Sequence, residues 1–331
     1  MSKERFIDEV PNFDTNKIAD IAMQLYGIEG DISPLNSFED QNALIKTSHG
    51  SFVLKIANKR WPEEELRIQT LLLDHLKTAA PKTSWSQVVP NINGDTMTKV
   101  NGFDVRLLTF IEGVILVDSE RNSKLNYSIG KVLGQFSKAV QSFPHPVLEK
   151  PTDYWNLDNV MACKAFLQDV NGKEIRSLIE KFYKHYEANV RPKIKNLHKG
   201  IVHGDANEQN LLVAEDDPSK IVSLIDFGDL QKATHINDLA IALAYSLLDV
   251  KDIDSTAREI INGYQEEFNI EDDEFDVLFD LVAMRLISSI ILTSNRAKQF
   301  PENLYILTSQ KPAKILLKKL EKWKFKIPLD Q

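Results

Sequence analysis

Two carboxylates and one carboxamide have the types and spacing for chemistry. In the stretch Ile201-Val-His-Gly-Asp-Ala-Asn-Glu-Gln-Asn-Leu-Leu-Val213, Asp205 and Asn210 stand five apart on a polar segment between two apolar ones. The next apolar stretch, Ile221-Val-Ser-Leu-Ile225, carries no charge and runs straight into Asp226-Phe-Gly228. Short apolar runs of this kind read as buried strands, and the polar segments at their ends as loops. Asp205, Asn210 and Asp226 are then delivered to the ends of neighbouring strands. A loop carboxylate can accept the proton of an attacking hydroxyl, while a second carboxylate and an amide oxygen are hard donors for magnesium. Together they suit phosphoryl transfer.

Elements that could position these groups follow from periodicity. Residues 14–27 read as an amphipathic helix, and 31–36, 43–47 and 52–57 as three strands, the last two joined by the turn Ser48-His-Gly-Ser51. On the third strand the period of two puts Phe52, Leu54 and Ile56 on one face and Val53, Lys55 and Ala57 on the other. Lys55 interrupts an apolar face, which points to a lined cleft. Pro62 and three glutamates open a helix reaching about Leu76, since proline suits a first turn and acids favour the positive end of the dipole. Strands near 84–89, 96–99 and 105–110 complete an antiparallel sheet, and Glu112-Gly113 ends it. Beyond that point the pattern is helical: 124–143, 163–168, 174–197, 236–248, 255–268, 274–294 and 312–323. The most irregular segment, 144–153, is a candidate substrate entrance. The expected fold is α+β in two lobes, a small antiparallel-sheet N-lobe over 1–112 and a mainly helical C-lobe over 113–331.

Composition excludes several classes. Lys and Arg number 12 against 16 acidic residues in 1–112 and 28 against 32 in 113–331, so each part carries a net −4 and neither is a basic nucleic-acid-binding lobe. The lysines at 311, 314, 318, 319, 322, 324 and 326 read as the solvated face of a last helix rather than a membrane patch. Cys163 is the single cysteine, which rules out an internal disulfide and fits a reducing compartment. Charged residues occupy the N-terminal positions where an export signal has its apolar core. The apolar runs 239–248 and 281–292 are too short to span a bilayer, and the second contains Arg285. A cytoplasmic protein is expected.

In order along the chain, Lys55, His203-Gly-Asp205, Asn210 and Asp226-Phe-Gly228 resemble the motifs of the eukaryotic-type kinase superfamily. His-Gly-Asp in place of His-Arg-Asp is similar to the aminoglycoside phosphotransferase and choline kinase branch. Gln41-Asn42, the strand around Lys55, Arg106-Leu-Leu108, Leu224-Ile-Asp-Phe-Gly-Asp229, the run 240–245 and Glu302-Asn-Leu-Tyr305 look like hydroxylysine kinases and the kinase domain fused to some class III aminotransferases. The resemblance implies a two-lobed protein-kinase-like fold in which 1–112 binds nucleotide and 113–331 carries catalysis and substrate. It implies Lys55 on the phosphates, Asp205 as proton acceptor, Asn210 and Asp226 on Mg2+, and Thr109 and Ile111 at the hinge that meets the purine of ATP or GTP. His203, two residues before Asp205, is assigned to hydrogen-bonding the loop.

Two departures stand out. The stretch Ser37-Phe-Glu-Asp-Gln-Asn42 lies where a glycine-rich phosphate loop is expected and has no glycine, leaving Ser37, Gln41 and Asn42 as substitute donors. The helix position that pairs with the lysine in the family is Gln69, with Glu65 one turn earlier as the other candidate. Only 229–235 separate Asp226-Phe-Gly228 from the next helix, too little for a peptide-holding activation segment, so a small-molecule hydroxyl acceptor is expected. The acceptor read here is an amino alcohol or hydroxy amino acid; homoserine, choline, ethanolamine or an aminoglycoside is the alternative, as is a nucleotide-binding protein without turnover. Asp229 and Asp238 are candidates for an ammonium group. Arg285, a cation within an apolar helix, is the candidate for an acceptor carboxylate, with a salt bridge to a nearby acid as its other role.

Overall fold

The structure, a computed structural model, describes residues 10–37, 40–147, 149–150, 152–302 and 304–323. The charged start of the chain, Phe38 and Glu39 of the expected phosphate loop, Asn303, Lys324 and Lys326 lie outside the described residues. The chain divides into two compact units, Met1–Glu112 and Gly113–Gln331.

Unit 1 begins with α1 (Thr15–Tyr26), capped by the Asp14 carboxylate on the Lys17 N–H at 2.8 Å and closed by Gly27 in the left-handed region at φ 64°. Six strands and a second helix follow: β1 (Asp31–Leu35), β2 (Gln41–Thr47), β3 (Gly50–Ile56), α2 (Glu63–Ala79), β4 (Val88–Val89), β5 (Thr98–Val100) and β6 (Phe103–Thr109). The strands form one antiparallel sheet in the order β1-β2-β3-β6-β4, with β5 also on β6. Alternation then sorts the side chains. Ala43, Ile45, Leu54, Ile56, Val105 and Leu107 are buried against Ile18, Ile21 and Ala22 of α1. The register pairs Asn42 with Lys55 and Lys55 with Arg106, so these three stand side by side on the other face. The strand expected over 84–89 contracts to β4. Before it, the Trp85 indole donates to Ala80 O and the Gln87 amide to Trp85 O and Ser86 O, which satisfies the backbone without a ladder.

Unit 2 opens with β7 (Val114–Ile115) and α3 (Ser123–Val140). A long 3-10 segment (Leu157–Asp169) and α4 (Lys173–His185) come next. The single helix expected over 174–197 is instead α4, a π turn (Tyr186–Val190) and α5 (Arg191–Ile194). Pro192 explains the break, since it has no N–H to continue the α ladder. Four strands carry the chemistry-bearing loops: β8 (Lys199–Val202), β9 (Leu211–Val213), β10 (Ile221–Leu224) and β11 (Gln231–Thr234). β9 pairs with β10 and β7, whereas β8 pairs with β11, a strand absent from the sequence reading. The loop 203–210 therefore crosses from one ladder to the other, and 225–230 crosses back. Four helices follow: α6 (Asn237–Ser246), α7 (Ile253–Glu267), α8 (Asp272–Gln299) and α9 (Gln310–Lys322). α3 and α7 approach so closely that a Cβ on Gly130 would lie 1.8 Å from Ile260 O. No helix among the described residues is long and apolar enough to cross a membrane.

Candidate active site

The loop between β8 and β9 is fixed from behind before any functional group is presented. Asp238, in the first turn of α6, accepts the His203 N–H at 2.7 Å on one carboxylate oxygen and the Gly204 N–H at 2.9 Å on the other. It is only 2% exposed. Burial pushes its carboxyl up, against the opposing pull of His203 and the two backbone bonds. The expectation that Asp238 borders the acceptor is therefore corrected: its carboxylate faces the loop backbone and is spent there. Gly204 adopts φ 83°, and a Cβ there would meet Asp229 O at 2.4 Å, so glycine is required between His203 and Asp205.

His203 ties the two loops together. Its Nδ1 accepts from the Asp205 N–H at 3.3 Å, which leaves Nε2 to donate to Ile225 O at 3.0 Å. The ring packs edge-on against Phe227 and Phe136, with centroids 5.0 and 6.1 Å away. Asn210 reinforces this arrangement. Its O accepts from the Ile225 N–H at 2.9 Å, and its Nδ2 donates to Asp205 O at 2.8 Å and Asp205 Oδ2 at 3.1 Å. Because Nδ2 points back into the loop, Oδ1 of Asn210 is turned the other way. Asp226 follows Ile225 at φ 64°, a left-handed conformation that aspartate tolerates better than most residues.

Asp205, Asn210 and Asp226 are thus brought together. One carboxylate and one carboxamide oxygen match the small protein share of a magnesium shell, whose remaining ligands are water and phosphate oxygens. Among the described residues there is no group of three or more His, Cys, Asp or Glu able to hold a metal by itself. The residues present fit a cation that arrives with a phosphate.

Asp229 lies close enough to Asp205, Asp153 and Asp226 to feel all three. Burial pushes its carboxyl up to about 7, those three carboxylates push the same way, and Lys150 opposes. Lys150 also donates to Gly228 O at 3.3 Å. Arg285, on α8, bears a second correction. Its Nη2 donates to Asp205 Oδ1 at 2.7 Å and its Nη1 to Trp155 O at 3.1 Å, and the side chain is 3% exposed. The carboxylate it holds is Asp205, an internal one, so the assignment to an acceptor carboxylate is withdrawn in favour of the salt bridge. Lys150, Asp153, Trp155 and Tyr245 were not singled out from sequence. The irregular segment 144–153 and the Tyr154-Trp155 pair after it were the available clues.

In unit 1, Lys55 stands between Asn42 and Arg106 across the sheet. Gln69 accepts from Arg106 Nη2 at 3.0 Å, and Leu66 O accepts from Arg106 Nη1 at 3.0 Å. The α2 amide expected to meet Lys55 is thus held by the neighbouring strand's arginine; Glu65 lies in the first turn of α2. Gln41 is also committed to the fold: its Oε1 accepts from Phe13 N–H at 2.8 Å and its Nε2 donates to Phe13 O at 2.7 Å. Asn42 Oδ1 is buried without a partner among the described residues. Thr109 closes β6, exchanging bonds with Gln87, and Ile111 lies just beyond.

This ordered set of residues is accompanied by a family match over residues 31–275, to the phosphotransferase enzyme family called APH. The chain belongs to that family. It is a small-molecule kinase, a phosphotransferase with an alcohol group as acceptor. This phosphotransferase is 28% identical over 323 residues to the hydroxylysine kinase of Danio rerio, with 91% of this chain and 90% of that protein covered. Among solved structures, a microcompartment-associated aminopropanol kinase shares the fold with a TM-score of 0.73 at 16% identity, over 93% of this chain and 98% of that one. Amicoumacin kinase, in complex with AMP-PNP, Ca2+ and amicoumacin, does so with a TM-score of 0.68 at 16% identity, over 97% and 95%.

Proposed function

We propose that this phosphotransferase moves the γ-phosphate of ATP or GTP onto the hydroxyl of an amino alcohol or a hydroxy amino acid of the hydroxylysine type. The observation that carries this reading is the Asp205 carboxylate held by Asn210 on a loop bonded to the turn that presents Asp226. Asp205 takes the proton of the acceptor hydroxyl as its oxygen bonds to phosphorus, and the bond from phosphorus to the bridging oxygen breaks, leaving the nucleoside diphosphate. Asn210 Oδ1 and the Asp226 carboxylate hold Mg2+, which when bound neutralises phosphate oxygens. Lys55 serves the phosphates as a second point of positive charge. Thr109 and Ile111 are proposed to meet the purine.

Two features support an amine-bearing acceptor. The acids Asp153 and Asp205 both lie within electrostatic reach of Asp229, and this acidic surrounding favours an ammonium group. Hydroxylysine kinase and aminopropanol kinase are named for substrates that carry an amine as well as a hydroxyl.

Nucleotide consumption by the full chain should be measured with 5-hydroxylysine, 1-amino-2-propanol, homoserine, choline, ethanolamine and an aminoglycoside, each with ATP and GTP. The expected result is turnover on the first two that exceeds the rest. Asp205→Asn should lower kcat by roughly 10²–10⁴-fold with nucleotide affinity nearly unchanged. Asp226→Ala should remove the magnesium dependence of nucleotide binding. Near-normal turnover in Asp205→Asn, or an unaltered magnesium response in Asp226→Ala, would sink the corresponding assignment.

A further inference from the structure

Arg285 has no part in the chemistry described so far, yet its surroundings are demanding. It sits on α8 among Leu281, Val282, Leu286 and Ile290, all buried. Its guanidinium lies 5.0 Å from the Trp155 ring centroid and 5.5 Å from that of Tyr245. Its Nε is buried and has no hydrogen-bond partner among the described residues. A buried cation with an unmet donor is a costly way to hold a helix together, and an apolar side chain of similar volume commonly serves stability as well or better. The charge must be explained by what it reaches, and what it reaches is Asp205 Oδ1 at 2.7 Å.

The other oxygen of that carboxylate, Oδ2, accepts from Asn210 Nδ2 at 3.1 Å. Asp205 is therefore gripped on both oxygens, from α8 on one side and from its own loop on the other. Neither grip leaves the carboxylate free to rotate, and each oxygen keeps a lone pair for a hydroxyl. The rings of Trp155 and Tyr245 and the Trp155 carbonyl in turn leave the guanidinium one orientation.

We propose that Arg285 is a positioning residue for phosphoryl transfer, which locks the Asp205 carboxylate at the angle that meets the acceptor hydroxyl. This rests on the reading of Asp205 as the proton acceptor. Arg285 acts through Asp205 and does not touch the acceptor. Its removal therefore misplaces the base for every acceptor alike and leaves binding of acceptor and nucleotide intact.

The test uses the full chain with Arg285→Gln and Arg285→Lys, each alone and combined with Asp205→Asn, assayed on 5-hydroxylysine and 1-amino-2-propanol. Arg285→Gln should lower kcat about 10–100-fold, the penalty of a base displaced by about an ångström. The acceptor KM should change by less than about threefold, and magnesium-dependent binding of AMP-PNP should be unaltered. Arg285→Lys retains a buried cation, and so covers the case in which the glutamine variant fails to fold. It should fall between wild type and Arg285→Gln, because an ammonium lacks the fork that holds carboxylate and carbonyl at once. In the Asp205→Asn background either substitution should cause no further loss, since the partner it positions is already disabled. Wild-type kcat in Arg285→Lys, a loss that adds fully to that of Asp205→Asn, or a KM rise confined to 5-hydroxylysine would each overturn the proposal. Normal turnover in Asp205→Asn alone would instead remove the underlying reading of the base, so the two failures are told apart.

Discussion

The two units bury polarity in different ways. Among the described residues, the buried polar side chains of Met1–Glu112 are mostly amides and hydroxyls, Asn58, Gln69, Thr70, Thr83 and Asn91, with Arg106 as the ionisable exception. Those of Gly113–Gln331 include His203, His235, Asp238, Glu274 and Arg285. An amide holds a neighbour in place without committing the interior to a charge. A buried carboxylate or histidine costs more, and the structure shows what each meets in return: Asp238 accepts from the backbone of the loop that carries Asp205, and Arg285 donates to its carboxylate. The helical unit thus sets two of its buried charges, Asp238 and Arg285, against one loop, whereas the sheet unit spends neutral groups such as Gln41 and Gln69 on tying its own elements together.

The largest expected effect of breaking this contrast is at Asp238. Asp238→Ala leaves the His203 and Gly204 N–H groups buried without acceptors, at a cost of about 1–3 kcal/mol for each. A loss of about 2–6 kcal/mol is a large fraction of the stability of a domain. Thermal unfolding should show a clear drop in Tm, accompanied by a fall in kcat because the Asp205 backbone is no longer fixed. A variant with wild-type Tm and kcat would mean that the loop is ordered by other contacts.

The next effect depends on pH. Burial lowers the His235 imidazole from 6.5 to about 4, helped by His198 and opposed by a bond to the Ser137 backbone. Its Nε2 faces the Gln141 amide at 3.0 Å. Because the folded value lies below the unfolded one, the neutral ring favours folding fully above about pH 6.5. That contribution is lost as pH falls towards 4, by about 3 kcal/mol in all. Other groups titrate in the same window, so the comparison should be with His235→Phe, which keeps a ring and cannot be protonated. Between pH 7 and 4, the wild-type chain should lose about 3 kcal/mol more than this variant in urea titrations. Parallel pH curves would show that His235 is not buried neutral.

What could be read from sequence follows the same division between local pattern and burial. Alternation placed Lys55 on the opposite face of β3 from Leu54 and Ile56, and apolar runs ending in polar loops brought Asp205, Asn210 and Asp226 into one region, because strand period and strand ends are local properties. Gln231-Lys-Ala-Thr234 escaped as a strand because a four-residue segment has too few alternations to register, and only pairing with β8 defines it. Asp238 and Arg285 were noticed as charges, but their roles depend on partners far along the chain. Asp238 meets backbone donors at 203 and 204, and Arg285 meets a carboxylate 80 residues away. No spacing rule reports such a partner. Gln69 was noticed for the opposite reason, as a neutral residue where a charge was expected beside Lys55, and its oxygen meets Arg106, one strand over.

That one-strand difference gives the smallest expected effect and the sharpest test of the neutral strategy in unit 1. Arg106 is 3% exposed and Gln69 7%, and their bond at 3.0 Å joins β6 to α2. Gln69→Leu removes an acceptor from a buried guanidinium donor and should cost about 1–3 kcal/mol. Gln69→Glu offers a stronger, charge-assisted bond but brings a second ion into the interior, so the two terms oppose each other. Its stability should stay within about 1 kcal/mol of wild type, by the near-balance measured for buried ion pairs. Chemical denaturation of both variants, read beside magnesium-dependent AMP-PNP binding, separates the contact with Arg106 from any dependence of nucleotide on this position. A Gln69→Leu chain as stable as wild type would show that α2 is held to the sheet by its apolar face alone, through Leu66, Leu73 and Leu76. A stable Gln69→Glu chain with altered nucleotide affinity would instead show that a charge on α2 is felt beyond Arg106, and that the amide is present to withhold it.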